Sequence, residues 1–570
     1  GRVVKVVAFA PHAGIWVHAF PEALVADAAR SDGAELVYVT CNGELSDYCV
    51  PIAAGISCAE CKHNHARLRS SFDFPGYDLD SVLDDRDRMH VAAIVDEAKP
   101  EAIDELVVDG IAVGRAALYE FVIEHKKLHL ALTAEEWSAF RPRLVATLRS
   151  MIAAGKILDV ERPDRVLLYN SLYSANAVWR AQADARGIAV YFEHAGLSLV
   201  DRLQRLVVGR DSTLVWWARI VQAWPRYRDV PCCAEELREV TEHFLRLFLG
   251  TSVFAYSAPK SKTAEDVRGR FAVRPEQQLL VASMSSYDEY VAAAAVGGVP
   301  AESELLFPTQ IEWVRELIGW MREHPERFLL IRVHPREFPN KREGLKSEHA
   351  HALERELTEL PSNVAVNWPT DKLSIYDVAE QADVFLNAWS SAGKEMALLG
   401  IPVVIYCPDV IQYPAELNYV GTTTAAYFAA IESALHDGWS FERVRLAYRW
   451  CVLEFVRGLV AIDDAFDASE DPPRTALERV RNVALAVPGV RQRYDLARRP
   501  RRFAAQPRLA ATIRSGDATL LEPPWNRATE VVETAALRVE LARIVRALYG
   551  DVATSPEPRS LRAHLVASLA

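Results

Sequence analysis

A chain of 570 residues is too long for one hydrophobic core, and a composition half apolar and one quarter charged is that of a globular protein rather than a disordered one. The formal net charge of −12 and the pI near 5.8 argue against a nucleic-acid binder, which carries a basic stripe over much of its surface. No run of about 18 uninterrupted apolar residues suggests a membrane span.

The segment Val3 to Ala10 is rich in β-branched residues and ends in Pro11-His12-Ala13-Gly14, the turn chemistry expected where a parallel strand meets a helix. A strand here, rather than a charged leader, gives the expectation of a cytoplasmic protein, with at most peripheral contact at an inner membrane. A helix from about Pro21 to Arg30 and a strand from Ala34 to Cys41 complete a βαβ unit. Cys41, Cys49, Cys58 and Cys61 then give C-x7-C-x8-C-x2-C, in which the Cys58–Cys61 half has zinc-knuckle spacing. A structural Zn2+ held by the four thiolates is expected, with an iron–sulfur cluster as second choice and disulfides or free buried thiols as alternatives. Such a site would pin the loop between Asn42 and Asn64 rather than catalyse. With the adjacent pair Cys232-Cys233, the spacing fits a reducing compartment.

Strands Arg165 to Tyr169 and Ala189 to Glu193 bracket an Ala-rich helix from about Ser174 to Arg186, so the first half reads as alternating α/β. Between Ser257 and Arg270 a polar stretch reads as a linker or surface loop. A second series follows, with strands Gln278 to Met284, Phe328 to Val333, Asn363 to Val366, Val384 to Asn387 and Val403 to Tyr406. Helices near Gln310 to Glu323, Ser374 to Gln381 and Ser391 to Leu399 separate them. From about Ala425 the strand signal disappears, leaving a helical extension broken at Asp471-Pro472-Pro473 and Glu522-Pro523-Pro524. Three regions are therefore expected: 1–255 with the Cys-rich loop 41–65, 256–424, and 425–570. Arg498, Arg499, Arg501 and Arg502 form one basic cluster, suited to a polyanionic acceptor or an anionic membrane surface, or to an ordinary solvated face.

In doubly wound sheets ligands sit beyond the carboxyl ends of the strands, and three such ends in the second series are polar. They are Ser285 to Glu289, His334 to Glu337, and Ala388 to Glu395. Ser390 and Ser391 at a helix start leave N–H groups for a phosphate, although a helix cap explains either serine alone. Glu395, one turn further, suits ribose hydroxyls. His334 is placed to donate to a phosphate or neutralise a departing nucleotide, with Pro335 stiffening its turn; alone, a strand-end histidine is as well explained by backbone bonding. In the first half, His12 and Glu193 are the candidates for a general base, and each is equally suited to acceptor binding or structural bonding.

Residues 275 to 410 resemble the bacterial capsule-polysaccharide biosynthesis glycosyltransferases, a group that includes Kdo transferases. The carriers are Ser283 to Glu289, Phe307 to Trp313, Arg332 to Glu337, Ala382 to Ser391 and Gly400 to Val404. The resemblance implies a GT-B fold: two Rossmann-like doubly wound domains facing across a cleft, donor bound in the second and acceptor in the first. It implies no obligatory metal at the phosphates, with His334, Arg336, Lys394 and the Ser391 region supplying charge stabilisation. Ser285, Ser286, Glu289, Gln310, Ser390 and Glu395 join the donor-binding set, and His12, Glu193 and His334 the catalytic one. The expected function is sugar transfer from a nucleotide-sugar, a CMP-linked Kdo-like donor among the candidates, to a glycan, glycolipid or related acceptor. The alternatives are a polyol-phosphate transferase of teichoic-acid type, a nucleotide-sugar epimerase, and a non-catalytic scaffold.

Overall fold

The computed structural model describes residues 3–31, 33–252, 254, 256, 258–261, 265–468, 475–487, 489–498, 501–521, 523–524, 528–550 and 557–570. In chain order its strands are β1 (Lys5–Phe9), β2 (Glu35–Thr40), β3 (Gly76–Asp78), β4 (Arg165–Tyr169), β5 (Ala189–His194), β6 (Arg205–Arg210), β7 (Gln278–Ser283), β8 (Arg327–Arg332), β9 (Val364–Asn367), β10 (Val384–Asn387), β11 (Val403–Ile405), β12 (Tyr419–Val420) and β13 (Val460–Ala461). The chain divides into two compact α/β units. One comprises 1–121, 129–216 and 458–522, and the other 122–128, 217–457 and 523–570.

The first unit holds a seven-stranded sheet in the order β13-β6-β5-β4-β1-β2-β3. Its β1, β2, β3, β4 and β5 run parallel, while β6 and β13 are antiparallel additions at one edge. Strand alternation gives β1 two buried faces. Val6 and Ala8 join a core with the helices Trp16–Ser31 and Gln506–Ser515, and Val7 and Phe9 join one with the helix Ala134–Glu161. The second unit holds a six-stranded sheet in the order β12-β11-β10-β7-β8-β9, parallel throughout. Trp313, Val314 and Leu317 of the helix Gln310–Met321 and Tyr427 and Ile431 of the helix Thr424–Asp437 pack on Leu280, Leu329, Leu386 and Val404. The helix beginning at Gln310 is set by a capping box, in which Thr309 Oγ accepts from Glu312 N at 3.1 Å and the Glu312 carboxylate accepts from Thr309 N at 3.0 Å.

Several expectations change. The first helix starts at Trp16, so Pro21 lies inside it rather than at its head. Strand character returns after residue 425 in β13, which pairs with β6 through Val460 opposite Leu206. The expected boundaries at 255/256 and 424/425 do not coincide with the units. Residues 217–255 belong to the second because the helix Ala234–Phe248 is bound there by a buried Glu236–Arg457 ion pair at 2.9 Å and by Thr241 on Tyr448 at 3.0 Å. Residues 458–522 belong to the first because Leu509 and Ile513 complete its core. The basic cluster is divided: Arg502 is exposed, whereas Arg501 packs inward. Arg501 is 8% exposed, lies 4.1 Å over the Phe72 ring and donates to the Ser71 and Leu496 carbonyls at 3.2 and 2.7 Å. Arg498 donates to the Asp464 carbonyl at 3.1 Å, and Arg499 lies outside the described residues. So do Ser257 and 262–264 of the expected linker, Asp471-Pro472-Pro473, and Glu522. Among the described residues no helix is long and apolar enough to cross a membrane.

Candidate functional site

In each sheet the strand order reverses once, and the crevice at that reversal is where an open α/β sheet takes its ligand. In the second unit the reversal lies between β7 and β10. The register there aligns Asn387, Ser283, Arg332 and Asn367 as neighbours on the last rung of β10, β7, β8 and β9. A cavity of about 130 Å3 opens beyond this rung, lined by Arg332, His334, Tyr376, Ser390, Ser391 and Glu395 among others.

Arg332 is the residue that reading the sequence missed. It is 6% exposed, donates to Asn367 Oδ1 and to the Leu373 carbonyl at 3.0 Å, and has no ion pair among the described residues. Burial lowers its pKa to about 10, so it remains a cation at neutral pH. Asp371 and Asp377 act on it only at a distance and are paired with Arg270 and Lys260, so an anion brought into the cavity would supply the contact partner that the buried guanidinium lacks. The signal was in the sequence: an arginine inside the apolar parallel strand Phe328-Leu329-Leu330-Ile331-Arg332-Val333 is out of place unless something pairs with it.

His334 caps the short turn Pro335–Glu337, its Nδ1 accepting from Arg336 N at 3.2 Å. An accepting Nδ1 leaves the ring proton on Nε2. Burial, reinforced by the charges of Arg336 and Arg332 and opposed by Glu337, holds the imidazole at about 4, so it is a neutral donor at pH 7. Ser390 Oγ accepts from Ala392 N at 3.2 Å in the turn ahead of the helix, whose N-cap, Ser391, makes no side-chain cap bond; Ser391 Oγ instead donates to Glu395 Oε1 at 3.2 Å. Tyr376 OH donates to the other Glu395 oxygen at 2.8 Å, and burial raises the Glu395 pKa against the pull of Tyr376, Lys394 and Ser391. Gly393 is required because a Cβ there would lie 2.0 Å from the Tyr413 hydroxyl and 2.5 Å from the Asn387 amide nitrogen.

The other donor-side candidates are not among the residues lining this cavity. Gln310 exchanges two hydrogen bonds with the Ser285 backbone at 2.8 and 3.0 Å, and Ser285 Oγ accepts from Trp389 N at 3.0 Å, tying the ends of β7 and β10 together. Arg336 is spent on structure. It is 2% exposed, is paired with Asp288 and with Glu343 at 3.2 Å, lies 3.6 Å from Glu289, and donates to Ser286 Oγ at 2.8 Å. Lys394 turns to Glu454, reaching both carboxylate oxygens at 2.7 Å. A second cavity of about 400 Å3 shares Tyr256, Arg332 and Pro335 with the first and adds Lys341, Asn367, Trp368 and Lys372, with no carboxylate in its lining.

In the first unit the reversal lies between β1 and β4. A cavity of about 90 Å3 there is lined by His12, His18, Glu22, Tyr169 and Asn176 among others. Glu193 ends in the same region of β5, 1% exposed, with neither carboxylate oxygen hydrogen-bonded. It is not among the residues lining that cavity.

The four cysteines line a different, narrow cavity of about 20 Å3. They do not fit a metal centre, which corrects the expectation of zinc or an iron–sulfur cluster. Among the described residues no three His, Cys, Asp or Glu side chains are placed to hold an ion. Cys61 Sγ instead accepts from Ala13 N at 3.2 Å and Cys41 Sγ from Leu45 N at 3.3 Å. Burial pushes the Cys41 thiol up to about 12 and raises Cys49 and Cys61 as well.

No family model matches the chain, and no curated protein does. Solved structures similar to it include UDP-GlcNAc 2-epimerase from Neisseria meningitidis bound to UDP-GlcNAc, at 11% identity and TM-score 0.26, covering 79% of this chain and 96% of that one. A beta Kdo 2,4 transferase from Thermosulfurimonas dismutans is similar at 12% identity and TM-score 0.30, covering 50% of this chain and 78% of that one. Spinosyn rhamnosyltransferase with thymidine diphosphate is similar at 11% identity and TM-score 0.23, covering 78% and 94%. TM-scores this low leave the functional reading to rest on the chain's own residues.

Proposed function

We propose that this chain is a GT-B glycosyltransferase that moves a sugar from a nucleotide-sugar donor to a glycan, glycolipid or related acceptor. The observation that supports the reading is Arg332, a buried guanidinium with no ion pair among the described residues, at the switch point of a parallel sheet beside a neutral histidine and two serines. That combination suits a phosphate, and Glu395 beside it suits the hydroxyls of a ribose. The adjoining 400 Å3 cavity, with Trp368 and two lysines, gives the rest of a nucleotide its room.

In the transfer, the bond from the anomeric carbon to the donor phosphate oxygen breaks and its electron pair leaves with the nucleotide. Arg332 balances that growing negative charge and His334 Nε2–H donates to a phosphate oxygen, interactions that strengthen as the bond breaks. The acceptor hydroxyl forms the new bond and gives up its proton to a base, for which Glu193 and His12 of the first unit are the candidates. Burial and the charge of Glu22 raise the Glu193 pKa well above the ordinary carboxylate value.

Thermal-shift titration with CMP, UDP, GDP and CDP tests the site, since a ligand of the native state alone raises Tm. At least one should do so in the wild type and fail to in Arg332→Met. If none shifts Tm at millimolar concentration, the proposal falls.

A further inference from the structure

The helix Ala476–Leu485 of the first unit begins at a capping box, in which Thr475 Oγ accepts from Glu478 N and the Glu478 carboxylate accepts from Thr475 N, each at 3.1 Å. None of its ten residues is buried. Leu477, Val480, Val483 and, in the turn that follows, Val487 are 50% to 80% exposed, and Ala476 and Ala484 are exposed among them. At about 100° per residue these six side chains share one arc of about 120°, so they form a stripe rather than scattered surface residues. A helix this short is held by packing an apolar face, and this one presents that face to water.

Charge frames the stripe. Arg479 and Arg481 stand at its two borders. Arg479 is exposed and has no ion pair among the described residues, and Arg481 is paired with Asp467 at 2.7 Å. The helix's one carboxylate, Glu478, lies on the opposite side with Leu485, both half-buried. Residues 475–503 hold eight arginines against two carboxylates, in a chain whose net charge is −12. Of those further along, Arg493 and Arg502 are exposed and have no ion pair among the described residues.

We propose that this helix is an interfacial anchor lying in the plane of an anionic lipid surface, its aliphatic stripe at the acyl boundary and its arginines at the headgroup phosphates. An apolar arc bordered by arginines is the pattern of a helix that rests at a membrane interface, because a guanidinium reaches the phosphates while its stem stays with the apolar layer. A second copy of the chain fits the stripe less well. A two-fold contact would set Arg479 and Arg481 of one copy against the same residues of the other, and one helix arc falls short of the roughly 800 Å2 per partner of a stable dimer. The lipid contact stands on surface chemistry alone and does not rest on the transferase reading.

The full chain is sedimented with vesicles of phosphatidylcholine alone and of phosphatidylcholine mixed with phosphatidylglycerol, at low and high salt. The mixed vesicles should bind at least about tenfold more tightly than the neutral ones, and the difference should shrink at high salt. Leu477→Ser, Val480→Ser and Val483→Ser together should weaken vesicle binding at least about tenfold and leave Tm unchanged, since none of the three is buried. Arg479→Gln should weaken binding to the mixed vesicles about fivefold and leave the neutral ones unaffected. The proposal is overturned if the mixed vesicles do not bind, if the neutral ones bind as tightly, or if the folded triple-serine variant binds unchanged. It is also overturned if the chain is a dimer in solution that the same variant turns into a monomer, which would give the stripe to a second copy. Nucleotide binding without vesicle binding would remove the anchor alone, and vesicle binding without nucleotide binding would remove only the donor site.

Discussion

The two units solve the same architectural problem with different charged side chains. Each places a cavity where its strand order reverses. In the second, a guanidinium, Arg332, stands with the His334 ring N–H and hydroxyls beside a single carboxyl, Glu395. In the first, no lysine or arginine lines the cavity, and the one lining side-chain atom left without a partner is an acceptor, Asn176 Oδ1. The strand-end crevice is thus a location supplied by topology, while its ligand class is set by whether the residues around it lack an anion or lack a donor. Charged residues nearby are a poor guide by themselves. Arg336 and Lys394 belong to the same segments as Arg332 and His334, yet each is already neutralised by a protein carboxylate.

Several changes would break or sharpen that contrast. Arg332→Met should produce the largest effect, a loss of about 100-fold in nucleotide affinity by calorimetry, or about 2.7 kcal/mol. His334→Gln should lower turnover by about tenfold to a hundredfold with a smaller change in KM, since its donation strengthens in the transition state. The wild-type rate should show no step from this residue between pH 6 and 8, because its pKa of about 4 keeps it neutral there.

The acid limb of stability follows from the same histidines. His12, His18, His65, His194 and His334 are all held at about 4, below the value of 6.5 that they regain on unfolding. Between pH 6.5 and 4 the unfolded chain therefore binds more protons, and Tm should fall steadily as pH is lowered through that window. His334→Gln should make the decline shallower. Ser391→Ala should weaken nucleotide binding only about fivefold, the worth of one neutral hydrogen bond. Lys394→Met should leave nucleotide affinity within about twofold yet lower stability by about 3 kcal/mol, since it strands the buried Glu454 carboxylate. A chelator should change neither property, and elemental analysis should find no stoichiometric zinc or iron.

By itself the sequence determined the α/β series and most strand positions. Apolar runs of β-branched residues bounded by turn chemistry are local signals, and β4 and β10 match the expected Arg165 to Tyr169 and Val384 to Asn387. The helix expected from about Gln310 likewise begins there. It also singled out His334, Ser390, Ser391 and Glu395, which the fold brings around one cavity. Only the tertiary structure decided which charges are free. Whether a guanidinium meets a carboxylate depends on partners far along the chain, as with Arg336 and Asp288 or Lys394 and Glu454. The four cysteines show the same limit. Their spacing allowed a metal, but among the described residues no three ligating side chains come together, and the Cys61 and Cys41 sulfurs accept from the backbone N–H groups of Ala13 and Leu45. Spacing constrains what side chains can reach, and burial and competing partners, set by contacts distant in sequence, decide what they do.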